Sequence, residues 1–448
     1  MKKFEVIYVP AGVGTFHMES AKDQLEKSIA LLKSICEDTV CPEDILLSPD
    51  AVDSFLEDRD PDLIIFQNLT FANGAYMQQV MRRFPDSPLL IWTLREPAID
   101  GGRLRLNSLT GAFSAANTVK SFTQKQFEYV YGSPSEEKVI KAIRATVAAA
   151  KVKCQLKELK LAQIGHTPEG FGFGRALDNE MLSIFGVRME SIEVRELMEK
   201  ARSFTDEECA EYLKKGSQAI SGLENTPEPN RTDFARLFKA YDEYVTEHGI
   251  GALSSRCWPD FFTSYGTPVC AVLGMLNDMG ISSSCEADTY GALSMHIGRL
   301  LTGTPAFFGD PVSLDEKENT LYFWHCGTAA CSLARPDTGA CAGVHCNRKI
   351  GPTLEFGLKS APHVTVFRIG KLPDGSFRTL IAPGEALDMP QQFLGTSMVV
   401  RTEASAEELI YSAVKDGWEP HYAVIYGDVA VELEILSRML DIPSTVYR

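Results

Sequence analysis

No stretch of this chain reaches eighteen consecutive apolar residues, so none is long enough to cross a bilayer as a helix, and no membrane partner is expected. The opening run MKKFEVIYVPAG also falls short of a secretory signal, because Glu5 and Pro10 interrupt its apolar residues; a cytoplasmic location is the expectation. Basic residues are the minority, 44 against 60 acidic, for a formal charge of −16. No Lys/Arg stripe stands ready to neutralise a phosphate backbone, which excludes nucleic acid as an expected partner. Paired CxxC spacing is missing too, so a structural zinc site is not expected, although Cys285 and Cys326 neighbour residues of interest below. The eleven cysteines are an odd number, and seven of them (Cys257, Cys270, Cys285, Cys326, Cys331, Cys341, Cys346) cluster without the regular spacing of a small secreted scaffold. Reduced thiols are expected. Walker and GxSxG motifs are absent. The turn GHTPEGFGFG lacks GxGxxG spacing, and its two phenylalanines stand where a pyrophosphate needs bare backbone, so it reads as a loop lining a cleft and no nucleotide cofactor is expected.

What is present is a soluble globular composition, 44% hydrophobic and 23% charged, spread over 448 residues, too many for one ordinary core. The first 150 residues alternate short apolar runs (FEVIYVP, DLIIFQN, PLLIWTL) with amphipathic stretches, the pattern of a parallel, doubly wound sheet. The segment SEEKVIKAIRATVAAAKVKC is predicted to close that unit as a helix with Ser135 as its N-cap. A second α/β unit begins at LKLAQIGH and ends with the short strand GALSSRCW. From about residue 301 the runs TLYFWHCG, HVTVFRIG and SFRTLIAPG read as strands with turns between them. The expected architecture is therefore α/β: an N-terminal α/β domain over 1–153, a second doubly wound α/β domain over 154–300, and a mainly β C-terminal domain over 301–448.

Glu286 and Asp288 directly precede a predicted helix over about 291–301, where a carboxylate faces a cleft or simply caps the helix. PAFFGD then reads as a strand ending on Asp310, and LYFWHCG as one ending on His325. Polar side chains at the ends of buried strands are typical of α/β sites. Two carboxylates and an imidazole reached this way make a mixed oxygen and nitrogen set suited to Mn²⁺, Mg²⁺, Co²⁺ or Zn²⁺.

The runs CWPDFF, CAVLGMLNDMGISSSCEADTYGAL, PAFFGDPVS, YFWHCGTA and WEPHYAVIYGDVAVELEILSRMLDIP resemble the L-fucose isomerase and L-arabinose isomerase superfamily, in particular its shorter fucose-isomerase-like branch. The likeness covers roughly the last 200 residues, and the N-terminal part only in its α/β pattern. The resemblance implies that Glu286 is the first metal carboxylate, Asp310 the second and His421 the ligand histidine, with Mn²⁺ the leading metal. His325 stands where the arabinose branch places another ligand histidine, and Asp288 on an acidic position beside the first ligand. It further implies an aldose–ketose isomerase working through an enediol, with Glu286 and Asp310 both holding metal and carrying the proton. Family members act on L-fucose, D-arabinose, L-arabinose or sulfoquinovose, the last needing a cationic pocket that Arg256, Arg348 and Lys349 could supply. A homo-oligomer, trimer or hexamer, is implied as well, its active site near a subunit interface. That makes the loop histidines His17 and His166 candidates for the cleft.

Other candidate substrate contacts are Arg256 and Trp258 in SSRCWPDFF, an indole being a good platform for a sugar face, and His345 and Arg348 in the polar loop GVHCNRKIG. For each, packing or a solvated loop is the plainer alternative. Competing functions are a metal-dependent lyase or epimerase using the same enediol chemistry, and a non-catalytic sugar-binding protein on the same fold.

Overall fold

The computed structural model describes residues 3–448, and the chain packs as two compact units. The first comprises the chain through Gln155 together with Val431–Ile442, and the second Leu156–Ala430 with Pro443–Arg448. The segments 1–153, 154–300 and 301–448 each supply the strands of one sheet, but the second and third pack as a single unit. The reason is the helix Thr289–Thr302, which contacts strands of both sheets and is buried on every side along its first ten residues. A boundary at residue 300 would cut through its last turn.

In the first unit, β1 (Val6–Ala11), β2 (Leu63–Asn68), β3 (Leu89–Thr93) and β4 (Glu128–Tyr131) form a parallel sheet in that order. Alternate residues face opposite ways, as a strand period of two requires. Val6, Tyr8, Ile65 and Trp92 enter one core, closed by Val139, Ile143 and Val147 of the helix Glu137–Leu156. Ile7, Val9, Phe66 and Ile91 enter the other, beneath Met77, Val80 and Val119. Each large side chain fully buried here contributes about 1.5–3 kcal/mol. The closing helix begins at Glu137, so Glu136 rather than Ser135 stands before it, its carboxylate accepting from the Ser133 amide at 2.6 Å. The late segment Val431–Ile442 completes this unit: Met439 packs against the first core, its carbonyl accepts from Lys153 Nζ at 2.7 Å, and Arg438 grips Glu128 through two bonds of 2.7 and 3.0 Å.

The second unit holds a parallel sheet of β5 (Lys160–Ile164), β6 (Arg188–Ile192), β7 (Ala252–Ser255) and β8 (Ser282–Ser284) in the order β6-β5-β7-β8. The remaining strands are β9 (Phe307–Asp315), β10 (Thr320–His325), β11 (Cys341–Gly343), β12 (Thr353–Gly357), β13 (Ala361–Lys371), β14 (Phe377–Ala386), β15 (Thr396–Thr402), β16 (Tyr422–Tyr426) and β17 (Ser444–Val446). Pairing of β14 with β15 closes β15-β10-β9-β16-β13-β14 into a six-stranded antiparallel barrel, flanked by β11 and β12 on one side and β17 on the other. The mainly β third region is thus a barrel. Asp310 is the fourth residue of β9 and not its end, because the strand runs on through Pro311 past an irregularity in its pairing with β10. Among the described residues no helix is long and apolar enough to cross a membrane.

Candidate active site

After β8 the backbone enters the left-handed region at two successive non-glycine residues, Glu286 (φ 59°) and Ala287 (φ 54°). Each such residue costs on the order of 1–2 kcal/mol. The turn is held by the Ala287 amide on Ser255 O (3.0 Å) and the Asp288 amide on Cys285 O (3.1 Å). The two carboxylates on either side of Ala287 have different partners. Asp288 is 1% exposed: Oδ1 caps the helix Thr289–Thr302 through the Gly291 amide (2.9 Å), Arg368 donates to both oxygens (2.7 and 3.1 Å), and Oδ2 also faces His421 Nδ1 at 2.8 Å. Burial pushes this carboxyl up, but the Arg368 charge and the His421 bond outweigh it and hold it far below the usual carboxylate range. Both of its oxygens are thus taken up by partners within the protein, and its place is behind His421. Arg368 went unnoticed in the sequence. Its signal was a lone arginine in the apolar run HVTVFRIG, and in the fold it is completely buried.

With Nδ1 held by Asp288, His421 turns Nε2 toward Glu286 Oε2 (3.0 Å) and Asp310 Oδ1 (3.4 Å). His325 Nε2 stands 4.0 Å from Glu286 Oε2. Glu286, His325 and His421 offer ligand atoms that all lie within 4.8 Å of one another. An imidazole oriented from behind by a buried carboxylate, facing carboxylate oxygens and a second imidazole, is a donor set that fits a divalent cation. Burial raises Glu286, yet the hydrogen bond and charge of His421 and the charge of His325 bring it below its ordinary value. Asp310 moves the other way, because burial outweighs the attraction of His421 and His325. His421 is pulled down by burial but raised more by Asp288, Glu286 and Asp310, to about 9.

Aromatic rings wall this cluster. Phe173 lies 5.4 Å and Phe308 4.6 Å from the His421 ring, and Phe171 meets Trp258 edge-on at 5.7 Å. The loop GHTPEGFGFG therefore lines the cleft with its phenylalanines. Gly174 is required there, since a Cβ would come within 2.8 Å of Asp288 Cα. Trp258 Nε1 donates to Glu286 Oε1 at 2.8 Å. The Arg348 guanidinium lies over the rings of Trp258 (5.1 Å) and Phe262 (4.9 Å) and makes no ion pair among the described residues.

The other candidates have partners of their own. His345 is buried, packs edge-on against Phe262 and accepts the Asn347 and Arg348 amides on Nδ1 (3.3 and 3.4 Å), so it shapes the loop that carries Arg348. Arg256 pairs with Asp260 at 2.7 Å, beside a groove of about 420 Å³ that it shares with His166 and Glu193. The His166 side chain is 70% exposed there, with Nε2 4.0 Å from Glu193 Oε1. His17 belongs to the first unit, where Nδ1 caps the helix Met18–Ile35 by accepting from the Ser20 amide.

The family described as L-fucose isomerase, C-terminal domain, matches residues 344–448. Full-length relatives extend the match: the chain is 61% identical to the sulfoquinovose isomerase of Clostridium sp. (strain MSTE9) and 38% to that of Priestia aryabhattai, each over 100% of both chains. It is 36% identical to the sulfoquinovose isomerase of Alkalicoccus urumqiensis over 98% of each. Fold and relatives together define an enzyme, an aldose–ketose isomerase, and set aside the non-catalytic sugar-binding reading. The chain belongs to the fucose-isomerase-like family of sugar isomerases, in its sulfoquinovose isomerase branch.

Proposed function

We propose that this enzyme interconverts the sulfonated aldose sulfoquinovose and its ketose. Arg348 carries the reading: it is a permanent cation without an acidic partner among the described residues, lying over Trp258, whose indole donates to Glu286. A guanidinium so placed favours a strongly anionic substituent near the reacting carbons, and the names of the relatives point the same way. Arg256, already paired with Asp260, is the weaker candidate.

Glu286, Asp310 and His421 would hold the metal, with His325 a further donor or a substrate contact; Mn²⁺ is the ion we assign, and Co²⁺, Mg²⁺ or Zn²⁺ suit the same donors. When bound, the cation polarises the substrate carbonyl and stabilises negative charge developing on its oxygens. The chain's own residues then have separable tasks. Glu286, held ionised, takes the proton from the carbon beside the carbonyl; Asp310, raised by burial, is the group able to hold and return one. Trp258 orients Glu286, while Phe171, Phe173 and Phe308 keep water from the enediol. The enzyme works in the cytoplasm as a homo-oligomer, a trimer or hexamer, with His17 reaching a neighbour's cleft; exposed Ile99 (96%) and Phe113 (73%) on the first unit support an assembly face.

The test compares sulfoquinovose with glucose as substrates, with Mn²⁺ and after EDTA, for the wild type and Arg348→Met. EDTA should abolish turnover and Mn²⁺ restore it. Arg348→Met should lower kcat/KM for the sulfonated sugar at least about tenfold and leave glucose unaffected, as expected for a lost charge-assisted bond. Full turnover without metal, or equal losses on both sugars, would overturn the reading.

A further inference from the structure

We propose that the chain carries a second cation site, for a thiophilic metal such as Zn²⁺ or Cd²⁺, formed by Cys285, Cys326 and His325 with Cys270 as the fourth donor. The donor atoms of Cys285, Cys326 and His325 all lie within 4.8 Å of one another. Cys326 Sγ is 3.5 Å from His325 Nδ1 and 4.0 Å from Cys270 Sγ. Tetrahedral zinc with Zn–S bonds of about 2.3 Å places neighbouring sulfurs roughly 3.8 Å apart, so the present spacing needs little adjustment. Cys270 and Cys285 are buried and Cys326 is partly exposed.

The donors come from separate segments: Cys270 opens the helix Cys270–Asp278, Cys285 follows β8 and Cys326 follows β10. Missing CxxC pairs exclude only sites whose ligands share one loop; the expectation of no zinc at Cys285 and Cys326 rested on that spacing alone, and here the donors come from separate segments. His325 divides its ring between two neighbourhoods, Nδ1 toward the thiols and Nε2 toward Glu286. Three sulfurs and a nitrogen select soft cations, whereas the carboxylate cluster selects harder ones, so the two sites sort metals by chemistry. Binding displaces the thiol protons to solvent and involves no electron transfer. The site does not depend on the sugar the enzyme acts on.

The experiment titrates metal-free, full-length protein with Co²⁺ and follows its absorption. An intense thiolate-to-cobalt charge-transfer band should appear in the wild type, persist in His421→Ala and in Cys209→Ala, and vanish in the Cys285→Ala/Cys326→Ala double variant. Cd²⁺ affinity should fall at least about tenfold in either single variant. A wild type with no such band, or a double variant that retains it, overturns the proposal. Should the buried alanines impair folding, wild-type protein suffices: Cd²⁺ should protect Cys326 from iodoacetamide, as read by peptide mass spectrometry, and labelling at an unchanged rate refutes the site.

Discussion

The two four-stranded parallel sheets share a construction and differ in order. Strands of the first follow one another as β1-β2-β3-β4, so its helix connections never reverse direction across the sheet, whereas the second, β6-β5-β7-β8, reverses at β5. Reversal parts the loops that leave β5 and β7 and opens a crevice beyond the strand ends. Phe171, Trp258 and Glu286 stand on the loops after β5, β7 and β8. After β1 and β2 the comparable residues His17 and Asn73 each cap a helix. The same layers thus gather a cluster of side chains beyond one sheet and helix caps beyond the other, and strand order accounts for the difference.

The contrast breaks most severely at Arg368→Met. This leaves the buried Asp288 without its guanidinium, held only by His421 and the Gly291 amide, which should cost about 3–5 kcal/mol in urea unfolding and weaken metal binding about 10–100-fold. A loss below about 1 kcal/mol would mean that Asp288 does not anchor the site.

Next comes pH. His421 is raised in the folded, metal-free chain to about 9. Its contribution should be fully present below the unfolded value of about 6.5 and disappear as pH rises through the folded value, on the order of 3 kcal/mol in total. Melting curves of metal-free protein should fall across that window, and His421→Gln should lessen the fall, the remainder coming from His325, which burial pulls down but Cys326, Asp310 and Glu286 raise to about 9. A wild-type melting point constant across the window would contradict the hydrogen-bonded pairing of His421 with its carboxylates.

Chemistry should respond at Glu286→Gln and Asp310→Asn, each lowering kcat at least about 10²-fold while some metal stays bound. Exchange of the substrate C2 proton with deuterium oxide is the direct readout; wild-type exchange in both variants would shift the base role to His325. Smallest of all, Asn73→Ala in the first sheet removes the cap on the Ala75 amide (3.0 Å) and should cost about 1 kcal/mol with kcat unchanged.

Much of the fold was legible because strands buried on both faces write themselves as continuous apolar runs, as in DLIIFQN and PLLIWTL. Closure of the barrel was not, since β14 meets β15 and β9 meets β16 through pairings that local pattern does not encode. Strand-end placement offered Glu286, Asp310 and His325 as a mixed donor set beside the plainer reading as caps or strand ends, and His421 entered only through family resemblance. For Asp288 the cap and the cleft readings stayed open, because its partner Arg368 lies 80 residues away and an acid beside a ligand looks the same whether free or spent. Cys285 and Cys326 stood out as neighbours of the site, but donors drawn from distant segments leave no spacing that marks them as one set.

The path of the last helix bears on how the protein is made. Val431–Ile442 belongs to the first unit, yet 275 residues, 156–430, must leave the ribosome before it appears. At roughly 5–20 residues per second that is a wait of tens of seconds. Throughout it the surface that Met439 covers is bare on the nascent chain, and Glu128 lacks Arg438. The amino-terminal unit is consequently among the last parts of the enzyme to be finished, and a stop codon before residue 431 would leave the oldest segment incomplete.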